Sequence, residues 1–382
     1  MKQRHICVWS GKRGGFGAMT PTIQEIARQP DMKMSVVVTD QHLYDRFGKT
    51  IKEVTDSFPI AAAIDMEQRG DANRDRARAI GVCLTKSADV LADLAPDILL
   101  VIGDRGEVFA ACIAAHNLRI AIAHVQGGDV SGSLDEPARH AITKLAHIHF
   151  PSTEASARRI LAMGEEAWRV HAVGDTHIDQ ILLGKKTPPQ ELRSRYQLAE
   201  GEPFLLVLQH SDSTDPGNSQ HHMAETLAAV MTFNLRTLLV YPCSDQGFEG
   251  IIQQVEAHRG KPGVTVYQNI PASDFIGLQS IAAVLVGNSS AGLIETPYFS
   301  LPAVNVGDRQ IGRERCENVL DVPYDRKKIK AAIHRALHDA AFRTACRQVR
   351  PPFGDGTAYR RIAEVLRKVE LDERLLNKRM SY

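Results

Sequence analysis

The sequence has no long apolar run. None of its hydrophobic stretches approaches the roughly 20 residues needed to cross a bilayer, so a membrane-spanning protein is not expected. It has almost no net charge: 46 basic residues stand against 45 acidic ones, leaving +1. That balance predicts no nucleic-acid or membrane-surface partner. It has only six cysteines in 382 residues, and no CxxC pair. Cys7, Cys83, Cys112, Cys243, Cys316 and Cys346 therefore read as reduced core thiols of a cytoplasmic protein, with neither a disulfide framework nor a zinc site. The opening MKQRHICVWSGKRGG has only a short apolar run after its charges, so no secretory signal is read there. Internal repeats, heptads and low-complexity tracts are missing too. The glycine-rich stretch SGKRGGFGAMTP lacks a full GxGxxG or Walker A pattern, so neither NAD nor ATP is inferred. No cofactor and no metal are expected.

What is present is a regular alternation. Short continuous apolar runs (HICVWS, SVVVTD, ILLVIGD, IAIAHV, HIHFPS, VHAVGD, then FLLVLQH, TLLVYP, GVTVYQ, AVLVGNS, AVNVG) read as strands covered on both faces. Helical patterns such as TKSADVLADLA and QHHMAETLAAVMTFN lie between them. Alternating β and α predicts an α/β fold with parallel sheets. A chain of this length predicts two domains. The polar segment 184–203, with Pro188 and Pro189, reads as the linker. The expectation is a Rossmann-like domain over 1–183 and a second over 184–382, the latter ending in a long amphipathic helix. Two such sheets are expected to face a cleft. Ligands bind beyond the carboxyl ends of such strands, which makes strand-terminal residues the candidates.

The run ILLVIGDRGE places Asp104 at a strand end, either as a helix cap or as a carboxylate aimed into the cleft. After AIAHV come Gln126, Gly127 and Gly128, then a cluster of ionisable groups. Asp135 or Glu136 is expected to cap a helix. Ala138, Ala141, Ile142, Leu145 and Ala146 would be its buried stripe, with Arg139, His140, Thr143 and Lys144 off it. His210 ends another strand, where an imidazole can donate to a phosphate or handle a proton. In AVLVGNSSAGLIETP, Ser289 and Ser290 open a helix suited to phosphate, and Glu295 can accept from ribose hydroxyls. Simple capping is the alternative there. Arg309, Arg313 and Arg315 offer forks that match phosphate oxygens, and Arg13 lies in the glycine-rich turn after the first strand.

Several of these stretches are specific. IGDRGEVFAACIAAHNLRIAIAHVQGG, DEPARHAITKLAHIHFPST, LQHSDST, VGNSSAGLIE and GDRQIGRERCENV together run through most of the chain. In them the sequence resembles the UDP-N-acetylglucosamine 2-epimerases, in their hydrolysing branch. The resemblance implies a GT-B-like fold and a UDP-2-acetamido sugar as substrate, either UDP-GlcNAc or a 4-acetamido-6-deoxy relative. UDP would leave from C1 as a base removes the C2 proton, and water would add to the resulting glycal. The product would be a ManNAc-type sugar for sialic- or legionaminic-acid-type synthesis. A homo-oligomer, dimer or tetramer, is also implied. Carried over by position, catalytic roles fall on Asp104, Asp135, His210 and Gln126. Substrate binding falls on Arg13, Arg139, His140, Ser289, Ser290, Glu295 and Arg309.

Three departures stand out. Related hydrolysing enzymes often carry a carboxylate where this chain has Gln126, and a glutamine cannot exchange a proton. Asp129, Glu136 and Glu107 are nearby candidates for that job. KRGGFG lacks an early acidic residue, and Ile294 replaces an arginine found in some relatives. A GT-B glycosyltransferase and a catalytically silent UDP-sugar-binding protein are the competing readings.

Overall fold

The computed structural model describes residues 3–70 and 72–381. It contains two parallel six-stranded sheets. The first comprises β1 (Arg4–Ser10), β2 (Met32–Thr39), β3 (Ile60–Ile64), β4 (Ile98–Ile102), β5 (Ala121–Val125) and β6 (Ile148–Phe150). The second comprises β7 (Phe204–Leu208), β8 (Arg236–Val240), β9 (Val264–Tyr267), β10 (Val284–Gly287), β11 (Ala303–Val306) and β12 (Val319–Val322). The orders are β3-β2-β1-β4-β5-β6 and β12-β11-β10-β7-β8-β9. The second, taken from β9, has the same order as the first. Each sheet therefore reverses direction once, between β1 and β4 or between β7 and β10, where a crevice opens beyond the strand ends.

Continuous apolar runs form these strands because each face has its own core. In β1, Ile6 and Val8 pack with Ile23, Ile26 and Leu100, while Cys7 and Trp9 pack with Cys83, Leu99 and Cys112. In β7, Leu205 and Val207 enter one core and Phe204, Leu206 and Leu208 the other. Cys243 is half-buried, and the other five cysteines, all free, are buried. Among the described residues no helix is long and apolar enough to cross a membrane.

The chain divides into two compact units. One holds 3–70, 72–129, 134–183 and 352–381 of the described residues; the other holds 130–133 and 184–351. The expected second domain therefore loses its end. Ala358, Ile362, Ala363, Leu366 and Leu375 join the core of the first unit, and that burial draws the C-terminal segment back. The long C-terminal helix is in fact two, Ala358–Lys368 and Glu373–Leu376. Nor is 184–203 a bare linker. It contains helix Pro189–Arg195, and Leu192, Tyr196 and Leu198 are buried in the core of the second unit.

The expected strand VHAVGD forms only one bridge, between Val170 and His149.

Candidate functional site

Strand register decides which residues of the first unit meet. Ile102 of β4 pairs with Val125 of β5, and Val125 pairs with Phe150 of β6. Asp104, Gln126 and Ser152 thus leave the sheet along one edge. Gly103 turns the chain with φ +81, and its N–H donates to the Val125 carbonyl at 3.0 Å. Asp104 then forms an ion pair with Arg139 of helix Asp135–Leu145.

Arg139 is buried, contrary to its expected place off the stripe, and so is Thr143. The physical reason is polar. Arg139 donates to the Asp104 carboxylate and, at 2.9 Å, to the Asp129 carbonyl. Thr143 shares a 3.2 Å hydrogen bond with Nδ1 of His124, whose Nε2 lies 2.7 Å from the Gly103 carbonyl. Burial drives the His124 pKa down to about 3, so the ring is neutral. Its Nε2–H donates to Gly103, and Nδ1 accepts from Thr143. His124 therefore fixes both the turn carrying Asp104 and the helix carrying Arg139.

Asp135 does not cap this helix, and neither does Glu136. Leu134 occupies the cap position, and Asp135 is the first helical residue. Its charge acts on Arg76. His140 lies one turn on, with Nε2 3.6 Å from the Glu136 carboxylate and Nδ1 buried without a hydrogen-bond partner. Arg13 also differs from expectation. It is the first residue of helix Arg13–Arg28 rather than part of a turn. Gly11 takes the turn, because a Cβ there would overlap the side chain of Glu107.

Two candidates for the missing carboxylate are committed elsewhere. Glu107 is fully buried between Arg76 at 2.6 Å and Arg105 at 2.7 Å. Asp129 accepts from the Ser156 hydroxyl at 2.7 Å. Gln126 has the left-handed φ of 64°. Its Nε2 donates to the Asp175 carboxylate at 3.0 and 3.2 Å and lies 3.1 Å from Nδ1 of His177. Asp175 and His177 escaped the sequence reading. Their only signal was the D-x-H spacing after a strand-like run.

In the second unit, Leu208 of β7 pairs with Gly287 of β10, so His210 and Asn288 emerge together at the direction change. Gly287 is required there, because a Cβ would overlap the Leu208 carbonyl. The Asn288 side chain accepts the His210 N–H at 2.7 Å and donates to the His210 carbonyl at 3.0 Å. The Asn288 carbonyl receives Arg309 at 3.2 Å and Gln310 at 2.9 Å. Arg309 also pairs with Asp245 at 2.8 Å. Asn288 is thus the hub of this site, a role unread in the sequence.

Nδ1 of His210 accepts the Cys243 N–H at 3.0 Å. A backbone amide can only donate, so the ring proton sits on Nε2.

The helix expected after Ser289 and Ser290 is a single turn, Ala291–Ile294. Pro297 follows, and the chain tightens into the 3-10 turn Thr296–Phe299. The Ser289 hydroxyl accepts the Ala291 N–H at 3.4 Å, and Ser290 makes no side-chain cap. Glu295 is buried and accepts from Gln279 at 2.6 Å. Arg315 is tied to Asp321. The second unit therefore gathers His210, the Ser289–Ser290 turn and Arg309 around Asn288. Among the described residues no group of three or more His, Cys, Asp or Glu side chains is arranged to hold a metal.

Comparison with known proteins agrees with this architecture. Residues 24–367 match the family model described as UDP-N-acetylglucosamine 2-epimerase. A UDP-N,N'-diacetylbacillosamine 2-epimerase (hydrolyzing) from Legionella pneumophila is 32% identical over 381 residues, covering 99% of this chain and 100% of that protein. A UDP-N-acetylglucosamine 2-epimerase from Neisseria meningitidis is 28% identical over 96% of each chain. The crystal structure of a Neisseria meningitidis UDP-GlcNAc 2-epimerase bound to UDP-GlcNAc shares the fold. Its TM-score is 0.82 at 18% identity, covering 96% of this chain and all 100% of that one.

Proposed function

This chain belongs to the UDP-N-acetylglucosamine 2-epimerase family, and from that premise we propose that it is a hydrolysing member acting on a UDP-2-acetamido sugar. The full-length 32% identity to a hydrolysing enzyme carries the reading. That relative's name makes the 2,4-diacetamido sugar nucleotide the first substrate to try, with UDP-GlcNAc the second. The products are UDP and the 2-epimeric, ManNAc-type sugar, which feeds a sialic- or legionaminic-acid-type synthesis in the cytoplasm.

The roles follow from the chemistry of the groups. The C2 hydrogen is weakly acidic, so its removal needs a positioned base and concerted departure of the diphosphate. As C2–H breaks, its electron pair becomes the C1–C2 double bond, and the C1–O pair leaves with UDP. Charge develops on the leaving diphosphate, where donors stabilise it. In the second unit His210, Ser289, Ser290 and Arg309 are suited to that task, and Glu295 to the ribose. In the first unit Asp104 and Asp135 are the proton-handling carboxyls, with Arg13, Arg139 and His140 binding the substrate. Water then adds its oxygen to C1, and C2 takes a proton on the opposite face.

Incubation of the protein in D2O with each sugar nucleotide, followed by proton NMR, tests this. Free UDP with a 2-epimer deuterated at C2 is expected. An intact nucleotide that binds but exchanges nothing would overturn the reading.

A further inference from the structure

Asp175 is a fully buried carboxylate whose ion partner is a histidine. It caps helix Thr176–Leu182 by accepting the His177 N–H at 2.9 Å. A cap needs only that bond. Asp175 takes four more contacts: Gln126 at 3.0 and 3.2 Å, the Ser152 hydroxyl at 3.0 Å, and Nδ1 of His177 at 2.8 Å. Burial works to raise the pKa of this carboxyl. Interactions with His177 and these donors outweigh it and hold the pKa below the usual range.

An ionised Asp175 fixes the tautomer of its neighbour. Nδ1 of His177 must carry the proton it donates, which leaves Nε2 as the basic nitrogen. The same carboxylate stabilises the imidazolium formed when Nε2 takes a proton. Asp175 has no exposure, whereas the His177 side chain is 21% exposed, so the pair runs from the interior to the surface.

Gln126 completes the set. A carboxylate at 126 would stand about 3 Å from the Asp175 oxygens, where two like charges cannot both ionise. An amide donates to Asp175 instead, and it does so from a left-handed backbone that side chains rarely adopt. The presence of glutamine and the Asp175–His177 pair are thus two halves of one arrangement.

We propose that His177, oriented by Asp175 and Gln126, is the proton-transfer base at this corner of the site. Nε2 takes the C2 proton as the C–H electron pair forms the glycal double bond and UDP leaves with the C1–O pair. The imidazolium then gives that proton to solvent. This rests on the hydrolysing-epimerase reading.

The test compares wild type with H177Q, Q126E, D175N and the reciprocal exchange Q126E/D175N. Release of UDP and deuterium uptake at C2 are followed, with UDP affinity as a separate readout. H177Q is expected to lose 10²- to 10⁴-fold in kcat, with KM and UDP affinity within threefold. Each single exchange is expected to lose at least tenfold. The double exchange puts the carboxylate at 126, still beside Nδ1, and is expected to recover most of the activity. An H177Q enzyme within threefold of wild-type kcat would overturn the proposal. So would a double exchange no better than the worse single one, which keeps the test decisive even if H177Q fails to fold. A wild type inert toward both sugar nucleotides would instead remove the functional reading itself, and this inference with it.

Discussion

Nδ1 of His210 accepts the backbone N–H of Cys243 at 3.0 Å. That one bond chooses between the two roles open to a strand-terminal histidine. With Nδ1 occupied as an acceptor, Nε2–H is a donor, suited to an oxygen of the leaving diphosphate in the reaction proposed above. A glutamine can present an N–H near the same place, whereas alanine cannot. H210A is therefore expected to lose 10²- to 10³-fold in kcat. H210Q should retain at least ten times the activity of H210A. Steady-state UDP release by the two variants checks this, and equal losses would return His210 to acid–base duty.

Asn288 holds both backbone groups of His210 and, through its own carbonyl, Arg309 and Gln310. Removing its side chain takes away the partner of a part-buried N–H and C=O at the end of β7. Each such group costs about 1–3 kcal/mol. N288A is expected to lose roughly 2–4 kcal/mol of stability and to bind UDP at least tenfold more weakly. Denaturant titration and calorimetric titration with UDP measure the two effects. Unchanged UDP affinity in a destabilised protein would separate the hub from the nucleotide site.

The legible parts of this molecule were those decided by local pattern. Runs such as FLLVL are apolar throughout because both faces of β7 are covered, so they declare themselves. The edge strands β3 and β12 passed unread. Ile60–Ile64 is built mainly of small alanines with alternating exposure, and Val319–Val322 is only half-buried. VHAVGD has strand-like residues, but beyond the short edge strand β6 it finds a single bridge. Candidates that end a strand, such as Asp104 and His210, were readable from that position alone. What they touch was not. Gln126 and Asp175 are 49 residues apart, and His210 and Asn288 are 78 apart. Sequence spacing carries no record of such pairs, since the sheet order brings them together. Arg139 shows the same limit, because a helical stripe predicts apolar burial and not an arginine drawn inward by a carboxylate.

Glu165 is fully buried and contacts Lys144 at 2.6 Å, Lys378 at 2.6 Å and His149 at 3.1 Å. Lys378 also donates to the carbonyls of Lys144 and Ala146 at the end of helix Asp135–Leu145. The C-terminal segment is thereby pinned to the helix that carries Asp135 and Arg139. Burial would raise the Glu165 pKa, but its three donors hold it at about 2, below its usual 4.5. The unfolded chain therefore takes up a proton first as pH falls. The stabilisation is complete above pH 4.5 and is lost as pH drops toward 2. E165A strands buried positive charge and is expected to cost about 3–5 kcal/mol at pH 7. Thermal melts of E165A and wild type should converge as the pH is lowered through that window.

Asp179 runs the opposite way. Its carboxylate caps helix Ala358–Lys368 by accepting the N–H groups of Ala358 at 3.0 Å and Tyr359 at 2.7 Å. Burial nevertheless pushes its pKa up to about 7, aided by the charges of Asp175 and Asp355. The two amides pull the other way and are outweighed. Between pH 4 and 7 the folded protein then holds a proton that the unfolded chain has released. The contribution of Asp179 to stability therefore falls as pH rises through that range, by roughly 3 kcal/mol. D179N has no proton to lose, so it should lack this contribution over the same interval. Denaturant midpoints at pH 5 and pH 7 decide the matter. A wild-type midpoint that falls relative to that of D179N between the two pH values is the expected result. Equal slopes in the two proteins would mean that the cap bonds, and not burial, set the charge of Asp179.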